Sequence, residues 1–278
     1  MVKKMAVVID YQNLHLTGAE TFLPGRPIHE SLIHPHKFAE RLAHVKNTKN
    51  DGQPEVVVTK VAVFRGVPLA SDDPDAVRRN LAQQEAWRSD LVDVTLRPLT
   101  YEFTWTDGVK TPIRETRREK GVDVLCALTL VQFSRSGDYD IVVLASRDTD
   151  LAPAIDESMQ CGTKTECVKW FDPENKNTLG GIRASRPFWT TSLGREDFLA
   201  CLDTRSYEPP AKPDFPPPPP PRPAGTTRPP AEGKIPRPAS SQVTEGAAQP
   251  KPTPPRPKPG PPRTAPAIIR TVSSTPSA

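Results

Sequence analysis

Cysteine is scarce in this sequence, with only Cys126, Cys161, Cys167 and Cys201 in 278 residues. None belongs to a Cys-x-x-Cys pair or stands at zinc-ligand spacing, so a structural zinc site finds no support. Cys126 and Cys167 lie among apolar neighbours, where buried thiols are common, and a reducing cytoplasm is the expected setting. No apolar run reaches membrane-spanning length. The apolar part of the opening stretch, Met1 to Asp10, is too short for a signal peptide. A soluble, cytoplasmic protein is therefore expected. A glycine-rich phosphate loop is also missing after the first apolar run, which argues against a nucleotide-binding or phosphatase-like α/β domain. His29, His34 and His36 lie close together, but no carboxylate or thiolate follows at ligand spacing, so they read as solvated loop residues.

Proline is at ordinary frequency through most of the chain and dense at its end: 24 of the 35 prolines follow Glu208. Residues 209–278 hold ten Lys/Arg and three Asp/Glu, a net of +7, against +4 for the whole chain. The remaining 208 residues thus carry −3. A mildly acidic body argues against a large nucleic-acid-coating surface and permits a local basic patch. The expected organisation is one domain over 1–205 and a basic, proline-rich tail over 206–278. Such a tail cannot bury enough apolar surface to offset chain entropy, so disorder with polyproline II character is expected. Phe215, Pro216 to Pro221 and Arg222 resemble a ligand for SH3-, WW- or EVH1-type grooves. A solvating extension with weak affinity for anionic polymers is the alternative.

The body is organised around Tyr139 to Pro153. Residues 140–145 form an apolar, β-branched-rich run that suits a strand buried on both faces. Ser146, Asp148 and Asp150 follow at once, and Pro153 fits the first turn of a helix. In a parallel sheet such a turn lies at the carboxyl ends of the strands, where ligands bind. Asp148 and Asp150 repel each other unless a cation or proton intervenes; alternatively they cap the following helix.

Another strand, 5–9, ends directly in Asp10. Further strands are read at 56–64, 92–99 and 165–171, with a small one at 188–191. Helices are predicted at 37–46, 75–90, 120–133, 153–159, 178–184 and 195–202, and 17–34 reads as irregular. Five strands alternating with helices imply a mainly parallel sheet. If strands one to three wind one way and the fourth returns beside the first, Asp10 comes to lie next to Asp148 and Asp150 at the switch point. The helix before the fourth strand brings Asp123 over the same cleft, although a first-turn Asp is also explained by the helix dipole. Four carboxylates around one hole call for a hard cation, Mg2+ or Mn2+, and such ions assist phosphoryl displacement.

Residues 100–114 alternate, turn at Asp107-Gly108 and return, which is a hairpin signal. Arg114, Arg117, Arg118 and Lys120 follow. Beside Tyr101, Phe103 and Trp105, these cations suit a phosphate backbone with bases stacked on the aromatics; a solvated charge run is the competing reading.

Three segments together, Ile9-Asp10-x-x-Asn13-Leu14, Lys120-Gly121-Val122-Asp123-Val124 and Ser146-x-Asp148-x-Asp150-Leu151-x-Pro153, resemble the NYN domain, and within it the LabA-like branch of the PIN-like nuclease superfamily. The resemblance covers roughly residues 3 to 202. It implies a PIN-like three-layer α/β/α sandwich with about five strands and metal-dependent endonucleolytic cleavage of RNA. It places Asp10, Asp123, Asp148 and Asp150 at a catalytic Mg2+ or Mn2+, with Asn13 and Ser146 supporting. Two positions depart from the pattern. Thr129 stands where the family often has a further Asp, and Arg147 stands where a small residue is usual. Arg147 would either pair with Asp148 or contact the scissile phosphate. The alternative function is a catalytically weak module of the same fold that recruits RNA or protein through its tail.

Overall fold

The structure is a computed structural model that describes residues 2–49 and 55–207. From residue 208 on, the proline-rich tail, with its predicted disorder and polyproline ligand motif, lies outside the described residues. Among the described residues, eight strands and six α-helices follow in chain order: β1 (Lys3–Asp10), α1 (Tyr11–Phe22), α2 (Pro35–Lys49), β2 (Val56–Val67), α3 (Pro74–Trp87), β3 (Val92–Pro98), β4 (Phe103–Thr106), β5 (Val109–Pro112), α4 (Val122–Ser136), β6 (Ile141–Ala145), α5 (Ala152–Gln160), β7 (Lys164–Trp170), β8 (Trp189–Leu193) and α6 (Arg195–Ala200).

Six strands form one sheet in the order β3-β2-β1-β6-β7-β8. Every neighbouring pair in it is parallel. The order reverses between β1 and β6, with Ile9 opposite Ala145, so the residues just beyond each strand meet at the switch point. The sheet has one strand more than the five anticipated, because the short run read at 188–191 pairs with β7 as an edge strand.

Alternation along the central strands assigns each side chain to one of two helical layers. Met5, Val7 and Ile9 point into a core shared with Leu14, Phe38, Trp87 and Phe198, contributed by α1, α2, α3 and α6. Val8, Val142 and Leu144 point the other way, onto Val122, Cys126, Leu130 and Ile155 of α4 and α5. The result is a three-layer α/β/α sandwich. Helix α4 docks because Val122, Cys126, Leu130 and Ser134, each four apart, make one buried stripe. Burying each large apolar side chain contributes about 1.5–3 kcal/mol. Trp170 anchors the other layer: its ring lies 5.3 Å from Phe198 and 5.6 Å from Phe38, and its Nε1 donates to the Leu14 carbonyl at 2.8 Å.

Two predicted segments come out differently. The stretch after Asp10, read as a short polar segment running into irregular chain, is the twelve-residue helix α1. Its buried positions Leu14, Gly18 and Phe22 are four apart, and the glycine among them masks the stripe. The helix predicted at 178–184 is absent; a single 3₁₀ turn, Lys176–Thr178, precedes extended chain. Lys169 Nζ takes the carbonyls of Thr178, Leu179 and Gly180 at 2.9, 2.9 and 3.1 Å, which a continuing helix would need for itself. The histidines are also less uniform than read: His34 is half-buried, and His36 sits in α2 with Nε2 3.4 Å from Glu40.

At the end of the described chain Asp203 is a tie point. It accepts from Trp87 Nε1 at 2.7 Å, the Tyr207 hydroxyl at 2.6 Å and Arg205 Nη2 at 2.8 Å. Burial disfavours its charge, but the bonds from Arg205, Trp87 and Tyr207 outweigh burial and hold the acid below the usual carboxylate range.

Candidate active site

Asp10 is the last residue of β1 and the N-cap of α1, and 6% of its surface is exposed. Its Oδ1 accepts from the Asn13 backbone N–H at 3.2 Å, and its Oδ2 accepts from the Ser146 hydroxyl at 3.1 Å. Ser146, one residue past β6, accepts the Asp148 N–H at 3.1 Å. Asn13 Oδ1 accepts the Arg147 N–H at 2.9 Å. The turns after β1 and β6 are thus laced together, and the lacing fixes both Asp10 and Asp148. Asp148 also performs the capping role: its Oδ1 accepts from the Asp150 N–H at 3.0 Å and starts the 3₁₀ turn Thr149–Leu151.

Burial raises the pKa of Asp10. The hydrogen bonds from Asn13 and Ser146 oppose that shift, and the charges of Asp148 and Asp123 reinforce it. Asp123 stands exposed in the first turn of α4. Gly121, at φ 79°, supplies the left-handed residue from which that helix starts. Asp150 is exposed and is not among the charges acting on Asp10.

A further carboxylate, unassigned in the sequence, joins the cluster. Glu119 Oε2 accepts the Gly66 N–H at 2.6 Å, just beyond the point where Asp10 pairs with Phe64 on β2. A Cβ at 66 would lie 2.4 Å from Glu119 Oε2, so any larger residue there would push the carboxylate off this seat. Burial raises the pKa of Glu119; the Gly66 N–H and Arg65 lower it, and the charges of Asp10 and Asp123 raise it. Beneath the cluster, burial first and then Asp10, Glu119, Asp123 and Asp148 hold the Cys126 thiol above its ordinary range. The signal for Glu119 was its place in an otherwise cationic run two residues before Gly-Val-Asp, and the run's charge obscured it.

The donor set is oxygen only and anionic, which suits a hard divalent cation and not a soft one. Among the described residues, none of Asp10, Glu119, Asp123 and Asp148 forms an ion pair with a lysine or arginine. Nor do any three His, Cys, Asp or Glu side chains among the described residues converge on one point. The arrangement is a buried acid, Asp10, with partners around it in electrostatic reach.

The predicted RNA-contacting cations separate into two groups. Arg114 is engaged: its guanidinium lies 3.1 Å from Asp73 and 3.7 Å from Asp72, and Asp72 also accepts from Tyr101 at 2.9 Å. Arg147 Nη2 donates to the Asn177 carbonyl, so the side chain is tied to the loop after β7 and not to Asp148. Arg117, Arg118 and Lys120 are exposed and form no ion pair among the described residues. Beside them the β4–β5 hairpin exposes 70% of Trp105, with Lys110 Nζ 4.4 Å from the centre of the Phe103 ring.

In parallel α/β sandwiches ligands bind at the carboxyl ends of the strands, near the switch point, and Asp10 and Asp148 lie at that end of this sheet. The NYN domain model matches residues 4–179, and the chain belongs to this family. NYN domains are part of the PIN-like nuclease superfamily, which suggests a nuclease role. A protein of unknown function from Vibrio parahaemolyticus is similar in structure, with a TM-score of 0.39 and 19% identity over 69% of this chain and 93% of that one. No curated protein matches the chain. No helix among the described residues is long and apolar enough to cross a membrane.

Proposed function

We propose that this NYN domain, of the LabA-like branch, is a metal-dependent endoribonuclease that hydrolyses RNA phosphodiester bonds at the acidic cluster. One observation carries the reading. Asp10 is buried, bears the fields of Asp123 and Asp148, and has no lysine or arginine partner among the described residues. Like charges so arranged favour a proton or a cation between them. Asp10, Asp123 and Asp148 would hold Mg2+ or Mn2+, with Glu119 on its Gly66 seat as a fourth acid. Asp150, exposed beside Asp148, would serve the ion's retained waters. When bound, such an ion supplies Lewis-acid stabilisation of phosphoryl charge and lowers the pKa of water.

The chain's own groups then have distinct tasks. Asn13 and Ser146 fix Asp10 and the Asp148 turn. Asp148 or Asp150 orients the attacking water and takes its proton as the water oxygen bonds to phosphorus; the bond from phosphorus to the leaving oxygen breaks, and that oxygen gains a proton. Arg117, Arg118 and Lys120 grip the phosphate backbone, and Trp105 and Phe103 offer faces on which bases stack. The test is incubation of the purified full chain with structured and unstructured RNA, in Mn2+ or in chelator. Cleavage in Mn2+ and none in chelator is expected. Thr129, half-buried where the family often has Asp, favours the second reading, a catalytically weak RNA- or protein-binding module working through its tail. RNA retained but uncut in Mn2+ would select it.

A further inference from the structure

A cavity of about 470 Å³ opens between α1, the end of β2 and α3, beside the acidic cluster. Tyr11, the residue after Asp10, lies in its wall, as does Gly66, whose N–H carries Glu119. Its size falls within the range of small-molecule sites, about 300–1,000 Å³.

Three features of the wall point to a ligand. The first is Arg65. Its guanidinium lies 4.8 Å from the centre of the Tyr11 ring and 6.0 Å from that of Trp87, and its Nη1 donates to Gln83 Oε1. It forms no ion pair among the described residues; Glu119 acts on it only at longer range, its close partners are ring faces and an amide, and such an inward cation has room for an anion. Arg117 lines the same opening. The second is Asn80, 7% exposed, whose Nδ2 donates to the Ala76 carbonyl at 2.7 Å while its buried Oδ1 has no partner. A buried acceptor without a donor costs about 1–3 kcal/mol, so it calls for an N–H. The third is an apolar wall, with Leu16 38% and Ile28 56% exposed and Leu99 beside them.

An anion site, an acceptor needing an N–H and an apolar wall are together what one nucleotide presents in complement: a phosphate, a base edge and a base face. We infer that this cavity takes a single unpaired nucleotide of the substrate strand, its base against Leu16 and Ile28 with an N–H to Asn80, and its phosphate towards Arg65 and Arg117. The inference rests on the nuclease reading, since it gives that site a nucleotide-sized pocket next to the acids. Unpaired bases splayed from the strand are the usual currency of single-stranded RNA recognition.

Calorimetric titration of the full chain in EDTA with AMP, CMP, GMP and UMP, and separately with inorganic phosphate, tests it without any cleavage. At least one nucleotide should bind one per chain and at least 10-fold more tightly than phosphate. Leu16→Trp, at an exposed position that fills the opening, and Asn80→Leu should each weaken that binding at least 10-fold. An unchanged unfolding midpoint of Leu16→Trp shows that the variant is folded. No nucleotide binding, equal binding of phosphate, or unaltered binding by Leu16→Trp would overturn the inference. Nucleotide binding by a chain that cuts no RNA in Mn2+ would end the nuclease reading and leave the pocket. RNA cleavage without nucleotide binding would do the reverse.

Discussion

The two sides of the cleft are built differently. On the β1–β6 side, Asp10 is held by two hydrogen bonds, Asp148 by its own backbone N–H on Ser146, and both turns by Asn13. On the hairpin side, Arg117, Arg118, Lys120 and Trp105 stand exposed, and Arg114 alone is clasped, by Asp72 and Asp73. The difference matches what the proposed function asks of the two sides. Groups that place charge on a reacting phosphorus need fixed positions, whereas groups that meet a nucleic-acid backbone work through charge and stacking and tolerate movement.

The largest contrast should come from removing the fixed acid. Asp10→Asn should reduce RNA cleavage about 10²–10³-fold, the scale of losing one preorganised charge-stabilising group. It should leave the fold intact, since Asn caps a helix about as well as Asp. The double variant with Asp148→Asn should be scarcely worse than either single, because such groups act as one unit. Additive losses in single-turnover cleavage would mean that the acids do not cooperate.

The rigid side should also be the acid-sensitive side. His15 on α1 is buried, with Nε2 3.0 Å from the Ile28 carbonyl. Burial, then the Arg65 cation, lowers its pKa to about 4. The unfolded chain, with an ordinary histidine near 6.5, binds the proton first, so this contribution is complete above that value and is lost as pH falls towards 4. The loss should be on the order of 3 kcal/mol, read as a steep fall of the urea midpoint that His15→Gln flattens. An equal acid slope in the variant would assign the sensitivity elsewhere.

Ser146→Ala removes one bond to Asp10 and the acceptor of the Asp148 N–H. It should cost about 1–3 kcal/mol of stability and roughly 10-fold in cleavage, about 1.4 kcal/mol. On the hairpin side, Arg117→Ala and Arg118→Ala should each weaken RNA binding while lowering the slope of log affinity against log salt by about 1. Arg114→Ala should leave that slope nearly unchanged and lower the unfolding midpoint slightly. A reversal of these two outcomes would exchange the assigned roles.

The legible part of this molecule was written in short-range patterns. An unbroken apolar run ending in Asp10, and another ending before Ser146, disclose two central strands and their acidic ends. The handedness of crossovers then brings them together, as observed with Ile9 opposite Ala145. Helix α1 was hidden because its buried stripe includes Gly18 and His15, residues that carry no hydrophobic signal. Glu119 was hidden because its seat is a backbone N–H 53 residues away on β2, a pairing no local spacing encodes. The engagement of Arg114 by Asp72 and Asp73 is long-range in the same sense, so the cationic run read as uniform when it is not.

The central claim is that Asp10, Asp123 and Asp148 share one divalent cation. Its most direct test is the unfolding midpoint of the full chain, titrated with Mn2+, for the natural sequence and for Asp10→Asn, Asp123→Asn, Asp148→Asn and Asp150→Asn. At about 100 times Kd, bound Mn2+ should stabilise the natural chain by about 2.7 kcal/mol, which is a rise of roughly 5–10 °C for a domain of this size. The rise should vanish in the first three variants and largely persist in Asp150→Asn. An undiminished Mn2+ shift in Asp10→Asn would contradict the account.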